Sequence, residues 1–579
     1  MREKGLTMSI QANITGYPSV DKPWLKYYSE EAIHAKLPEG SMYDYIWQNN
    51  KEYLDNRALN YFGNVISYRV LFEMIEKAAS AFSSIGVKKG DIVTICSLLI
   101  PETIYSIYAL NKLGAIVDFQ YVSLSEKGFR TAFLETETKL VITIPLFANK
   151  ILEASEGTGV EKILLTDLAA SAKGIAKFVI KQKAKARLEK SDKFLKWKDF
   201  IAQDNGSVNC QEHDDAVLLH TGGTTGTPKG VLLQNSNFNA LAYTCGELGF
   251  EIKRSDSILH GIPPFHSYGF GVGVHIPLSV GGSIVMCPVP SMEMLERMYC
   301  KNKPEYLTLG ITQLKQMLQY LKTHEVNSDQ LKFVIVGGEK IPSALEDEAK
   351  EYFEEKFHAN LIVGYGMSEL ASVAVSNLKQ HKKKGSVGVP YVKNIVKIID
   401  EEGNELPYNQ VGELCFHSPT MMKEYYKNPV ETSQIKKLHA DGKEWIHTGD
   451  LGTMDEDGFI YIKGRLKRIY GYIDDSGNTY KIFPDYIENI VSGIEGVKQC
   501  VAGCIKEEKH IHKIYCYISL EKEETDEGKE SIKARMKELL PDYDYPHFIT
   551  FVDAIPSNAV GKVDYLLLEK MVQENSHTL

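Results

Sequence analysis

The run Ala216-Val217-Leu218-Leu219-His220-Thr221-Gly222-Gly223-Thr224-Thr225-Gly226-Thr227-Pro228-Lys229-Gly230-Val231 constrains this chain more than any other stretch. Residues 216–219 are apolar and β-type. The chain then becomes a loop of Gly and Thr with a single Lys. Gly222, Gly223 and Gly226 permit positive φ and close approach of the backbone to a ligand. Successive backbone N–H groups in such a loop form an anion cradle. Thr221, Thr224, Thr225 and Thr227 add hydroxyl donors, and Lys229 adds a point charge suited to phosphate. The pattern predicts a polyphosphate site. It is not the common NTPase loop, which needs Gly before the Lys and Ser or Thr after it; Pro228 and Gly230 stand there instead.

With 579 residues the chain is long enough for more than one domain. A net charge of -10 argues against nucleic acid as the main partner. The first eight residues hold no apolar signal core. The 9 cysteines are scattered, with Cys500 and Cys504 the nearest pair, and read as thiols of a reducing cytoplasm. Residues 257–291 lack Asp, Glu, Lys and Arg, but repeated Gly and Pro break them. A spanning helix needs about 20 helix-compatible apolar residues, so this segment is expected to be a buried core or pocket wall.

Strand-like and helix-like stretches alternate. Strands are expected at 91–96, 114–117, 140–144, 162–165, 333–336 and 361–363, and helices at 41–50 and 102–113, the latter with Pro101 in its first turn. Asn235 or Ser236 is expected to cap a helix, and 343–346 to form a capping box. The alternation predicts an α/β fold of layered, mainly parallel sheets. Ligands of such sheets sit beyond the carboxyl ends of strands. Three such ends carry glycine turns, at 221–230, 337–339 and 364–369. Residues 173–198 are rich in Lys with interleaved apolar residues. This predicts a basic amphipathic helix that packs its apolar side on the domain, or one that lies on an anionic membrane surface.

Glu369, after a strand end, is suited to hold Mg2+ together with substrate phosphates. Tyr365, between Gly364 and Gly366, is placed to stack on a base. Asp450, in Trp445-Ile446-His447-Thr448-Gly449-Asp450, is suited to ribose hydroxyls. Lys562 follows Gly561 in a C-terminal loop.

Together these motifs resemble the acyl-adenylate-forming superfamily, which includes acyl-CoA synthetases, peptide-synthetase adenylation domains and beetle luciferase. The matches are Thr221–Gly230, Pro264-Phe265-His266, Gly337-Gly338-Glu339, Tyr365–Glu369, Gly385–Gly388, Gly412-Glu413-Leu414, His447–Asp450, Gly464-Arg465 and Gly561-Lys562. They run in family order over nearly the whole chain. The resemblance implies attack of a carboxylate on the α-phosphate of ATP, giving acyl-AMP and pyrophosphate, then attack of a thiol to give a thioester. It implies that Thr221, Gly222, Gly223, Thr224, Thr225, Gly226 and Lys229 hold the β- and γ-phosphates. Gly338, Glu339, Tyr365, Gly366 and Ser368 would surround the nucleotide, Asp450 and Arg465 would hold ribose, and Glu369 would bind Mg2+. Lys562 would bridge carboxylate and α-phosphate. His266 is counted with Lys562 and Glu369 as catalytic, and with Tyr268, Gly271, Gly310, Gly337 and Gly366 as lining the acid pocket.

The resemblance also implies a large domain, 1–466, and a mobile α+β lid, 467–579, turning about a hinge at Lys467. Two departures stand out. Ser368 replaces the usual Thr, and the hairpin after the hinge, Ile469–Pro484, is longer than usual. Gly471, Gly477 and Lys481 in it are candidate contacts for coenzyme A.

Amino-acid-activating relatives carry Asp where His266 stands, to pair the substrate ammonium. A buried ammonium without that partner costs several kcal/mol. The expected substrate is therefore a carboxylic acid without an α-amino group. Gly269, Gly271 and Gly273 leave room for a long ligand, which points to a fatty acid; close backbone packing explains them equally well. The expected acceptor is CoA, with a separate carrier protein as the alternative. The expected location is cytoplasmic, with membrane contact through 173–198.

Overall fold

In the computed structural model the described residues are 14–576, except 184–185, 204–205, 207, 212, 222–228, 249–251, 289–290, 327, 339–340, 469, 474–478, 507–511 and 558–562. Among them, three sheets of nine, eight and five strands build the large N-terminal part, and two- and three-stranded sheets build the C-terminal part.

The centre of the nine-stranded sheet runs in the spatial order Asn360–Met367, Phe333–Val336, Tyr306–Leu309, Ser257–His260, Ser283–Met286, Arg57–Tyr61. These neighbours pair in parallel. The centre of the eight-stranded sheet runs Asp215–Thr221, Ile116–Phe119, Ile92–Cys96, Leu140–Thr143, Lys162–Leu165, also in parallel. Most of these strands are short apolar runs buried on both faces, as parallel strands covered by helices must be. The helix Pro101–Lys112 is buried at every residue. Its one basic side chain, Lys112, is neutralised by Glu76, because an unpaired buried charge would be costly. The third sheet is antiparallel and contains the strands Gly412–His417, Glu444–Met454 and Ile460–Arg465. The C-terminal strands Val497–Lys506, His512–Leu520 and Phe548–Val552 are covered by Pro484–Val491, Asp526–Leu539 and Tyr565–Ser576. The α/β class is therefore as expected.

Several local expectations are corrected. The strand expected at 114–117 begins at Ile116, since Gly114 takes φ +68° in the preceding turn. The helix expected to be capped by Asn235 or Ser236 is capped by Gln234. The Asn235 side chain instead accepts from Met42 N at 2.9 Å and from Asn111 at 2.8 Å. The helix Ser343–Lys350 starts after Pro342 without a side-chain cap, and Glu346 is drawn to Lys350 at 2.5 Å. The glycine turn expected at 364–369 is a strand as far as Met367, followed by a 3-10 turn, Ser368–Leu370. There the strand leaves its parallel neighbour and pairs antiparallel with Ser372–Ser376. Of 173–198, only Gly174–Lys183 forms the basic helix. Its apolar side does not pack fully on the domain: Ile175 and Phe178 are 84% and 66% exposed, Val179 is exposed too, and Ile180 alone of these packs on the core. No helix among the described residues is long and apolar enough to cross a membrane.

Candidate active site

A cavity of about 930 Å³ lies against the carboxyl ends of the nine-stranded sheet. Residues at or beyond the carboxyl ends of four adjacent strands reach it: Gly261–Pro263, Gly310–Gln313, Gly337–Gly338 and Gly364–Ser368, the last mostly within its strand. This is the edge where open α/β sheets bind ligands. The eight-stranded sheet contributes His220 and Thr221 from the end of one strand and Tyr121 from beyond its neighbour. The cavity also extends along the strands toward their amino ends, where Ile258, Tyr306, Ile252, Ile276 and Val280 line it.

The wall opposite the strands is a π-helical turn, Tyr268–His275, leading into Ile276–Ser279. Tyr268 lines the cavity, donates to Ile335 O at 2.9 Å, and lays its ring over Gly337. Burial raises its phenol well above the usual range. His266 lines the cavity beside the rings of Tyr121 and Phe265. The expected pocket residue Gly271 is a correction: it does not line the cavity. A Cβ there would lie 2.9 Å from Leu241, one on Gly273 would lie 1.9 Å from His260, and one on Gly269 would lie 2.0 Å from Pro263 O. All three glycines serve close packing rather than room for a ligand.

Tyr365 lines the cavity and donates to Asp450 Oδ2 at 2.6 Å. Arg465 Nε holds the other oxygen of Asp450 at 2.8 Å, from the directly paired position on the neighbouring strand. Burial, with the charge of Asp450, lifts the Tyr365 phenol well up. Burial raises the Asp450 carboxyl, and Arg465 opposes it. Gly366 is required by contact: a Cβ would sit 1.9 Å from Ser372 O. Ser368 donates to Ser267 at 3.3 Å. Next to it Glu369 is buried, and its Oε1 accepts from Tyr425 at 2.6 Å. Lys229 pairs with Glu431 at 2.5 Å over the Tyr425 ring. The hydrogen bond from Lys229 holds the Glu431 carboxyl below the usual range.

The structure thus brings Thr221, Lys229, His266, Tyr268, Gly310, Gly337, Gly338, Tyr365, Gly366, Ser368, Glu369, Asp450 and Arg465 to the cavity or to its immediate supports. Lys467 lies exposed in the 3-10 turn Leu466–Arg468, where its neighbour Arg468 binds Asp485 and Glu488 of the C-terminal part. Gly222, Gly223, Thr224, Thr225, Gly226, Glu339, Gly477 and Lys562 lie outside the described residues.

Several residues were missed from sequence. Tyr425 and Glu431 belong to no motif. Beside Thr221, His220 is 2.7 Å from Asp118 Oδ1, and Asp118 Oδ2 accepts from Thr94 at 2.7 Å. Asp118 lies just past the strand expected at 114–117, inside the observed strand Ile116–Phe119. An acid within a fully buried run was the available signal, since such a group must be paired.

The chain belongs to the AMP-binding enzyme family. The family model described as AMP-binding enzyme matches residues 46–426, and that of the AMP-binding enzyme C-terminal domain matches 486–562. It is an enzyme of the acid–thiol ligase class. A long-chain-fatty-acid–CoA ligase of Bacillus subtilis (strain 168) is 27% identical over 96% of this chain and 99% of its own length. A 4-coumarate–CoA ligase of Humulus lupulus is 24% identical over 95% of this chain and 98% of its own. A solved anthranilate CoA ligase in complex with anthranoyl-AMP has a TM-score of 0.80 at 20% identity, covering 93% of this chain and 98% of that one. An o-succinylbenzoate CoA synthetase of Bacillus subtilis, solved with ATP and magnesium, has a TM-score of 0.72 at 20% identity, covering 90% and 98%.

Proposed function

We propose that this enzyme converts a long-chain fatty acid, ATP and CoA to acyl-CoA, AMP and pyrophosphate. The observation that carries the acid is the length of the cavity. It runs from the nucleotide edge at Gly337–Gly338 down the strands to Ile258 and Val280, and its lower walls are mainly aliphatic or aromatic, with Lys253 beside Ile252. At about 930 Å³ it sits at the large end of ligand cavities, roughly 300–1,000 Å³. The name of the Bacillus relative supports the same reading.

In this reading Tyr365 and Gly338 take the adenine. Asp450, held by Tyr365 and Arg465, accepts from the ribose hydroxyls. Phosphates arriving at Thr221 compete with Glu431 for Lys229 and draw its ammonium into the site. Glu369 is a buried carboxylate with one oxygen held by Tyr425. One carboxylate beside substrate phosphates is a donor set that fits Mg2+. The ion would neutralise charge that builds on the phosphates. Lys562 would bring a second positive charge to the α-phosphate, in the manner of preorganised electrostatic catalysis. The lid is taken as 467–579, and it turns at Lys467 between the two half-reactions.

Pyrophosphate release over a panel of acids, with and without CoA, and with mass detection of the thioester, tests the reading. Acyl-CoA from long acids supports it. An acyl-AMP that forms yet never passes to CoA points to a carrier protein as acceptor. Turnover of benzoates alone refutes the fatty acid. We further infer that the exposed Ile175, Phe178 and Val179, spaced i, i+3, i+4 among lysines, favour contact with an anionic bilayer, where such acids partition.

A further inference from the structure

The sheet that carries Asp450 holds a second cluster of metal-ligating side chains. Cys415 and His447 are direct partners across the ladder, and Glu413 lies two residues before Cys415. Donor atoms of these three lie within 4.8 Å of one another. His439, on the turn between Lys436–Leu438 and Glu444–Met454, adjoins this group from outside it: its Nε2 is 2.9 Å from Nε2 of His447.

The hydrogen bonding gives the cluster its chemistry. Nδ1 of His447 is 2.8 Å from Glu413 Oε2. With that nitrogen donating to the carboxylate, the lone pair of His447 lies on Nε2 and faces His439. A carboxylate behind an imidazole is the arrangement that orients metal-ligating histidines. Zn–N bonds are about 2.0–2.1 Å. Two nitrogens 2.9 Å apart would subtend about 90° at such an ion, so a tetrahedral ion requires the two rings to part by roughly 0.4–0.5 Å. Two cations, Lys397 and Lys437, act on the cluster; Lys397 is engaged elsewhere, pairing with Asp441 at 3.2 Å and lying 3.9 Å over the Trp445 ring.

We propose that His439 and His447 bind one borderline-soft divalent cation, zinc in the first instance, with Cys415 as a third ligand and Glu413 as the orienting carboxylate. On binding, the buried Cys415 thiol releases its proton to solvent as the metal–sulfur bond forms. Imidazole and thiolate donors select zinc, cobalt or copper over magnesium, so the ion is not the one that accompanies ATP. Glu413 also accepts from Gly449 N at 2.9 Å, and Gly449 precedes Asp450. The ion would therefore be tied to the strand that carries the ribose-binding carboxylate.

The test uses the full chain, stripped with chelator and kept in excess Mg2+ and ATP analogue to fill the active site. Zn2+ is titrated by calorimetry and Co2+ by visible absorption. The expected result is one Zn2+ per chain, and a Co2+ spectrum with a thiolate charge-transfer band that Cys415→Ser removes. His439→Gln is expected to weaken binding by at least about a hundredfold, since orienting partners alone are worth roughly 10–100-fold. It should leave the metal-free melting temperature and basal pyrophosphate release at wild-type values. Glu413→Gln, or His447→Gln if the first variant is unstable, gives a second measure. Undiminished Zn2+ binding by His439→Gln, or no stoichiometric binding by the wild type, overturns the proposal.

Discussion

Val280→Trp would plug the amino-end limb of the cavity while leaving the nucleotide edge untouched. The register Ile258↔Tyr306 and His260↔Thr308 sets the scale. Two residues of strand separate these pairs, about 6.6 Å at about 3.3 Å per residue. An extended acyl chain built of ~1.5 Å bonds advances about 1.3 Å per carbon, so that limb holds about five methylenes. Each buried methylene is worth about 0.8 kcal/mol, which gives about 4 kcal/mol. At about 1.4 kcal/mol per factor of ten, the loss is about a thousandfold. The assay is kcat/KM for pyrophosphate release with palmitate and with octanoate. The ratio of the two should fall by about that factor, with octanoate nearly unchanged. Overpacking costs about 1–3 kcal/mol of stability, and a melting curve separates that effect because it lowers both substrates alike. A ratio that stays constant would show that the acyl chain does not run between these strands and the π-helical wall.

Three other outcomes follow from particular contacts. Asp450→Asn removes the charge shared by Tyr365 and Arg465. Hydrogen bonds to charged groups are worth about 1.5–3 kcal/mol, so KM for ATP should rise roughly 10–100-fold with the acid KM little changed, and an unchanged KM for ATP contradicts the assignment. Asp457 is held down to about 2 by its hydrogen bonds to Lys26 and then Lys383. Its folded value is depressed, so its contribution is present above about pH 4 and is lost as pH falls through about 2. The group is half exposed, so screening leaves about 1 kcal/mol, and in denaturant titrations the deficit of Asp457→Asn should shrink on acidification. Phe178→Glu should abolish low-salt co-sedimentation with vesicles containing phosphatidylglycerol, and equal binding to neutral vesicles would count against the membrane reading.

The parallel strands were legible because each is a short apolar run between breakers, and burial on both faces demands such runs. The runs 92–96, 140–143 and 333–336 show this directly. The motifs at 221 and 337 were legible as strand ends, and the one at 365 as lying past the parallel pairing of its strand, which in fact continues to Met367; the sheet order places the last two side by side on adjacent strands. Supports contributed by distant segments were not. Glu431 meets Lys229 across 202 residues, and Asp118 meets His220 across 102. Neither pairing leaves a local trace. Caps failed for a related reason: the Asn235 side chain is drawn into a tertiary network with Met42 and Asn111, and local propensity yields to it.

The glycine-packed π-helical wall limits how this pocket can change. Gly269 and Gly273 each touch a neighbour that leaves no space for one more carbon, and Gly271 is close to the end of the Leu241 side chain. A single substitution is blocked at Gly269 by Pro263 O and at Gly273 by the His260 ring, while at Gly271 the end of the Leu241 side chain must give way. Drift at Gly273 therefore requires a simultaneous, compensating loss of the His260 ring. Val272, Ile276, Val280, Ile258 and Tyr306 face the cavity and carry no such debt. A lineage that re-sizes its acid pocket would vary at those five positions one at a time, while Gly273 and His260 persist or change only as a pair.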